Sequence, residues 1–127
     1  MEKRFGQGFV DIIIPYYNTQ PEQIDRLYDS ILRLKRIDDC VIYLISDGSN
    51  LICDKYVINK FLNSDLNVVF LRNNINEGPG KARNIGIENS YNNFIYFIDS
   101  DDYFIYDDVL IQSTRDIHDR PFLCVTK

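Results

Sequence analysis

Four short apolar runs alternate along the chain with longer segments in which apolar positions recur every three to four residues. The runs cover residues 9–14, 40–45, 67–71 and 94–98 and are rich in β-branched and aromatic side chains, which is strand composition. Pro15 ends the first, because proline cannot donate to a sheet ladder. Thr19 and Glu22 then form a capping-box pattern, and Ile24, Leu27, Tyr28, Ile31 and Leu34 share one helical face. Tyr56, Val57, Lys60 and Phe61 predict a second, shorter helix. Pro79 suits the first position of a third helix reaching about Asn89, since its missing N–H is not needed there. A fourth helix is expected over 107–115 and a last short strand over 122–125. The order β-α-β-α-β-α-β-α predicts an α/β fold: one domain over 1–127 with a mostly parallel sheet flanked by helices. The run 94–98 has no polar face and reads as a central strand covered on both sides.

Composition narrows the partners. The chain has 127 residues, 45% of them hydrophobic, which is enough for a core. Its formal net charge of -5 argues against a nucleic-acid surface, which is normally a basic stripe. An anionic ligand would therefore need local arginine, lysine or metal. Cys40, Cys53 and Cys124 are odd in number and without paired metal spacing, so they read as buried thiols in a reducing compartment. The apolar stretch 10–14 is interrupted by Asp11 and stopped by Pro15, too short for a signal peptide or a span. A cytoplasmic location is expected, with peripheral attachment at the inner membrane face left open.

The chemistry concentrates at strand ends. Asp99-Ser100-Asp101-Asp102 follows directly on the fourth run, so carboxylates emerge where a strand leaves the sheet. Two carboxylates two residues apart can hold a divalent cation between protein and phosphates. A solvated acidic turn is the plain alternative. An EF-hand fails: counting from Asp99, Phe104 stands at the required glycine and Leu110 at the required glutamate. A Walker loop ending at Gly80-Lys81 fails too, because Ala82 replaces the magnesium-binding Ser or Thr and Ile75 the first glycine. Pro15-Tyr16-Tyr17-Asn18, Asp47-Gly48-Ser49, residues 72–78 and residues 99–102 each follow one of the four strands. In a parallel sheet those loops share one rim, where open α/β sheets bind ligands.

Taken in order, Ile12-Ile13-Ile14-Pro15-Tyr16-Tyr17-Asn18, Ser46-Asp47-Gly48-Ser49, Asn76-Glu77-Gly78-Pro79-Gly80-Lys81-Ala82-Arg83-Asn84 and Ile98-Asp99-Ser100-Asp101-Asp102 resemble the N-terminal half of family 2 glycosyltransferases. The resemblance runs from about Phe9 to Leu110. It implies a GT-A fold and transfer of a sugar from a nucleotide diphosphate, usually a uridine one, to an acceptor hydroxyl with inversion. It places Pro15, Tyr17 and Asn18 against the nucleotide, where a flat apolar contact suits a base. Asp47 would accept from a base N–H, and Arg83 would face the nucleotide from a helix amino end. Asp99 matches the carboxylate that contacts ribose or shares the metal, and Asp101 the ligand of Mn2+ or Mg2+. Asp102 is nearer a capping or outer role. Ser46 departs from the more frequent second acidic residue of the family. Arg72 and Lys81 read more readily as surface cations than as ligand contacts, and the lone His118 as a surface or packing residue.

Inverting transfer needs a general base, and the family supplies it from its C-terminal half. Asp107, Asp108, Asp116 and Asp119 match no base position, so no catalytic residue is assigned. The expectation is a donor-binding half without its acceptor half, binding a nucleotide sugar, little active alone, and associating with a second copy or a partner chain over an open sheet edge. Two alternatives stand beside it. One is a non-catalytic nucleotide-sugar-binding or assembly subunit. The other is a nucleotidyltransferase, which would want a glycine- and cation-bearing loop in place of residues 15–19.

Overall fold

The computed structural model of the chain describes residues 9–116. Four parallel strands, β1 (Asp11–Tyr16), β2 (Val41–Asp47), β3 (Val68–Asn73) and β4 (Ile95–Phe97), lie in the order β3-β2-β1-β4. Helices α1 (Pro21–Leu32), α2 (Leu51–Leu62) and α3 (Pro79–Asn89) make the crossovers, and α4 (Val109–Asp116) follows β4. The chain order reverses at β1, which has β2 on one side and β4 on the other. That reversal opens the crevice in which such sheets bind ligands.

Period-two alternation along β1 and β2 explains the two cores. Ile12, Ile14, Ile42 and Leu44 point to the layer of Ile24, Leu27 and Ile31 from α1 and Val57 and Phe61 from α2. Ile13, Tyr43 and Ile45 point the other way, onto Ala82 of α3. Each such aliphatic side chain contributes roughly 1.5–3 kcal/mol on full burial. Helix α3 approaches closely because position 86 is glycine: a Cβ there would stand 2.7 Å from Ile13 Cγ2. Asp11, wholly buried, accepts from the Tyr91 and Asn92 N–H groups at 2.7 and 2.9 Å and from Asn92 Nδ2 at 2.8 Å. It thereby fastens the turn leading into β4.

Several boundaries differ from the sequence reading, for physical reasons. Pro15 does not end β1, which runs on to Tyr16 with Pro15 opposite Ile45. The odd-numbered positions face β4, as the Asp11 N–H to Phe94 O and Ile98 N–H to Ile13 O bonds show. The β4 ladder stops at the Ile13 and Phe97 pair, so the donor that Pro15 lacks would have met no strand. β2 and β3 extend through polar ends, with Ser46 opposite Arg72 and Asp47 opposite Asn73, so Asp47 is a strand residue rather than a loop residue. The α1 cap is Gln20, not Thr19; Gln23 Oε1 accepts from the Gln20 N–H at 3.3 Å. Helix α2 is longer than expected because Asn50 caps it, accepting from the Cys53 N–H at 2.8 Å. Among the described residues β4 is an edge strand, not a central one, and only Phe97 of its three residues is buried. The strand expected over 122–125 and His118 lie outside the described residues. No helix among the described residues is long and apolar enough to cross a membrane.

Candidate functional site

A cleft of about 450 Å³ opens at the carboxyl ends of the strands, between β1 and β4. Pro15, Tyr17 and Asn18 line it from the end of β1, Asp47 from β2, Arg83 from α3, and Asp99 and Asp101 from the loop after β4. All the residues singled out for nucleotide and metal therefore share one cavity. Tyr16, Thr19, Gln20, Gln23, Pro79 and Ser100 line it as well; none had a ligand role from sequence, although Tyr16, Pro79 and Ser100 stand inside the motifs quoted above. For Thr19, Gln20 and Gln23, nearness along the chain to the first of those motifs was the available signal.

The β1 end is held by its neighbours. Asn18 adopts a left-handed conformation at φ 48°, a region asparagine tolerates better than most residues. Its N–H donates to Ser49 Oγ at 3.0 Å, and its Oδ1 accepts from the Asn50 N–H at 2.8 Å. Thr19 Oγ1 lies 2.6 Å from Ser100 Oγ, tying this loop to the acidic one. Tyr17 is half exposed at the cleft wall.

Asp47 is nearly fully buried, yet its carboxylate is occupied by the next loop. Oδ1 accepts from the Glu77 N–H at 3.0 Å and from Asn73 Nδ2 at 3.4 Å, and Oδ2 accepts from the Gly78 N–H at 2.8 Å. A carboxylate offers about four acceptor positions, so one is left for a ligand donor. Gly48 makes this turn possible. Its φ is +77°, and a Cβ there would stand 2.8 Å from the Asn76 backbone nitrogen.

Arg83 projects from the first turns of α3, whose first residue is Pro79, as expected. Its Nη2 donates to Asp99 Oδ1 at 2.9 Å, while Nε is buried with no partner among the described residues. An unpaired buried donor is costly unless something accepts from it. Oxygens of Asp99, Asp101 and Asp102 lie within 4.8 Å of one another. Asp102 contributes an oxygen to this cluster, and its N–H closes a turn on Asp99 O at 3.0 Å. An all-oxygen carboxylate set suits Mg2+ or Mn2+, and small side-chain shifts would bring all three within reach of one ion.

Arg72 does not line the cleft. Its Nη1 forms a close ion pair with Asp54 Oδ2 and donates to Ser49 O at 3.0 Å. Asp54 Oδ1 also accepts from Tyr16 Oη at 2.8 Å and Ser46 Oγ at 2.7 Å. Burial first, and then the bond to Asp54, push the Tyr16 phenol far above its ordinary pKa, so it stays a donor. Cys40 and Cys53 are free, buried thiols, and burial raises Cys40 to about 12.

Comparison with known proteins agrees with this geometry. Residues 11–117 match the description "Glycosyl transferase family 2". An uncharacterized glycosyltransferase of Rickettsia felis is 33% identical over 103 residues, covering 81% of this chain and 16% of its own length. One from Haemophilus influenzae is 35% identical over 98 residues, covering 74% of this chain and 36% of its own. Among solved structures, S. aureus TarS 1-349 in complex with UDP-GlcNAc superposes with a TM-score of 0.74 at 27% identity, over 87% of this chain and 31% of that one. The chain therefore spans about a sixth to a third of the length of these relatives. A GT-A sheet, a shared strand-end cleft and a family match across most of the sequence agree, and the chain belongs to glycosyl transferase family 2.

Proposed function

We propose that this chain is the donor-binding part of an inverting glycosyltransferase that seats a nucleoside diphosphate sugar, a uridine one, in the strand-end cleft. The observation that carries the reading is the convergence of Tyr17, Asp47, Arg83 and Asp101 on a single cavity of about 450 Å³. Pro15, Tyr17 and Asn18 would receive the base, with Asp47 spending its remaining acceptor position on a base N–H. Arg83 and Asp99 would meet the ribose and diphosphate. Asp101 and Asp99, with Asp102 beside them, would hold Mn2+ or Mg2+. Such an ion neutralises charge on a departing diphosphate. The UDP-GlcNAc named in the TarS structure supports a uridine donor.

The cleft carboxylates among the described residues, Asp47, Asp99 and Asp101, all have nucleotide or metal roles in this reading. None is left to deprotonate an acceptor hydroxyl, so the isolated chain is expected to bind donor and transfer little. Calorimetry with UDP-, GDP- and CDP-sugars, with and without manganese, tests the reading. Manganese-dependent binding that favours the uridine donor is the expected result. Absence of binding by every nucleotide, or robust sugar transfer by the isolated chain, would contradict it.

A further inference from the structure

Asp54 lies outside the cleft, in the first turns of α2, and is nearly fully buried. Three donors from three strands converge on its two oxygens: Tyr16 Oη at the end of β1, Ser46 Oγ near the end of β2, and Arg72 Nη1 near the end of β3. Two paths lead from this carboxylate to the cleft wall. One is direct, through Tyr16, which lines the cleft. The other passes through Ser46, whose Oγ accepts from the Ser49 N–H at 3.2 Å, and through Ser49. Its Oγ accepts from the Asn18 N–H at 3.0 Å and donates to Tyr16 O at 3.5 Å. Arg72 closes the loop through Ser49 O and, at 3.3 Å, Ser46 Oγ.

We infer that Asp54 is a positioning residue for the nucleoside end of the donor: it fixes the 16–18 segment at the height a base requires and withholds Arg72 from the cleft. The inference rests on the nucleotide reading above. A carboxylate is needed because every group facing Asp54 is a donor; an amide of the same shape would turn a donor toward one of them. The negative charge also sits near the positive end of α2 and neutralises a half-buried guanidinium. With Ser46 Oγ and Asp54 Oδ1 2.7 Å apart, a carboxylate carried by residue 46 would enter nearly the same space.

The test measures binding of uridine, UMP and Mn2+ separately to the native chain, Asp54→Asn, Tyr16→Phe and the exchange S46D/D54S, all well below their melting temperatures. Asp54→Asn is expected to weaken uridine and UMP alike by about tenfold, the effect of losing one net charge-assisted hydrogen bond, with Mn2+ affinity unchanged. Tyr16→Phe should lose about threefold on both, and the exchange should restore UMP affinity to within about threefold of native. A merely structural role would lower the melting temperature and leave the affinity of the folded protein alone. Native-like UMP binding by folded Asp54→Asn, or a loss seen only with Mn2+, overturns the inference while the nucleotide reading stands. If Asp54→Asn does not fold, native-like affinity in Tyr16→Phe overturns it instead. A native chain that binds neither UMP nor Mn2+ sinks both.

Discussion

Arg83 Nη2 is bonded to Asp99 Oδ1 at 2.9 Å, so a cation is parked on one of the carboxylates proposed to meet ribose and metal. Its Nε, buried and unpartnered among the described residues, is a donor in want of an acceptor. A diphosphate oxygen would supply one. Arg83→Met should therefore weaken UDP binding by about tenfold to a hundredfold, from the ~1.5–3 kcal/mol of a hydrogen bond to a charged group. Manganese alone should bind this variant at least as tightly as the native chain, because Asp99 is released. Titration calorimetry with each ligand reads both, and weaker manganese binding would refute the assignment.

Asp101 carries a different expectation, because no cation competes for it among the described contacts. Asp101→Asn leaves the shape of the loop and removes a charge from the oxygen cluster. UDP affinity measured with manganese should then fall to the value measured in EDTA. A residual manganese dependence would mean that the ion sits elsewhere.

Gly48→Ala tests the turn that brings Asp47 to the Glu77 and Gly78 N–H groups. Both the φ of +77° and the 2.8 Å approach to backbone at Asn76 oppose a Cβ. A destabilisation of about 1–3 kcal/mol is expected by urea denaturation. Nucleotide affinity should fall with it, because Asp47 is held by the same loop. An unchanged midpoint would show that the turn relaxes freely.

Alkaline pH should unfold the protein early. Burial raises Cys40 from 9.0 to about 12 and Tyr43 from 10.0 to about 12, so the native state keeps protons that the unfolded chain gives up. Below pH 9 both states are protonated at these sites and nothing is lost. Above it the unfolded state binds fewer protons, and stability falls as pH rises toward 12. Cys40→Ala should shrink the part of the decline that begins near pH 9, to which Cys53, also raised by burial, still contributes, and leave the part that begins near 10, as read from denaturation midpoints at successive pH values.

The alternation of strand and helix, the shared rim and the acidic cluster were legible because each depends on local pattern plus the rule that parallel strands end together. The ends of β2 and β3 were not, because Ser46, Asp47, Arg72 and Asn73 have the polarity of loop residues and become strand only by pairing with one another. Asp54 was invisible for a related reason. Its partners at positions 16, 46 and 72 come from three strands, and nothing in the spacing of a lone acid on a helix announces a buried convergence. Arg72 was ambiguous until that partner was known.

Pro15 sits at a fork in the sheet. It offers no hydrogen on the β4 side just where the β4 ladder ends, so the diverging strands leave no donor of β1 unpaired there, and the wedge between them belongs to the fold itself. A guest entering such a preformed notch spends little of its binding energy on prising strands apart, so its affinity reports chiefly the contacts it makes.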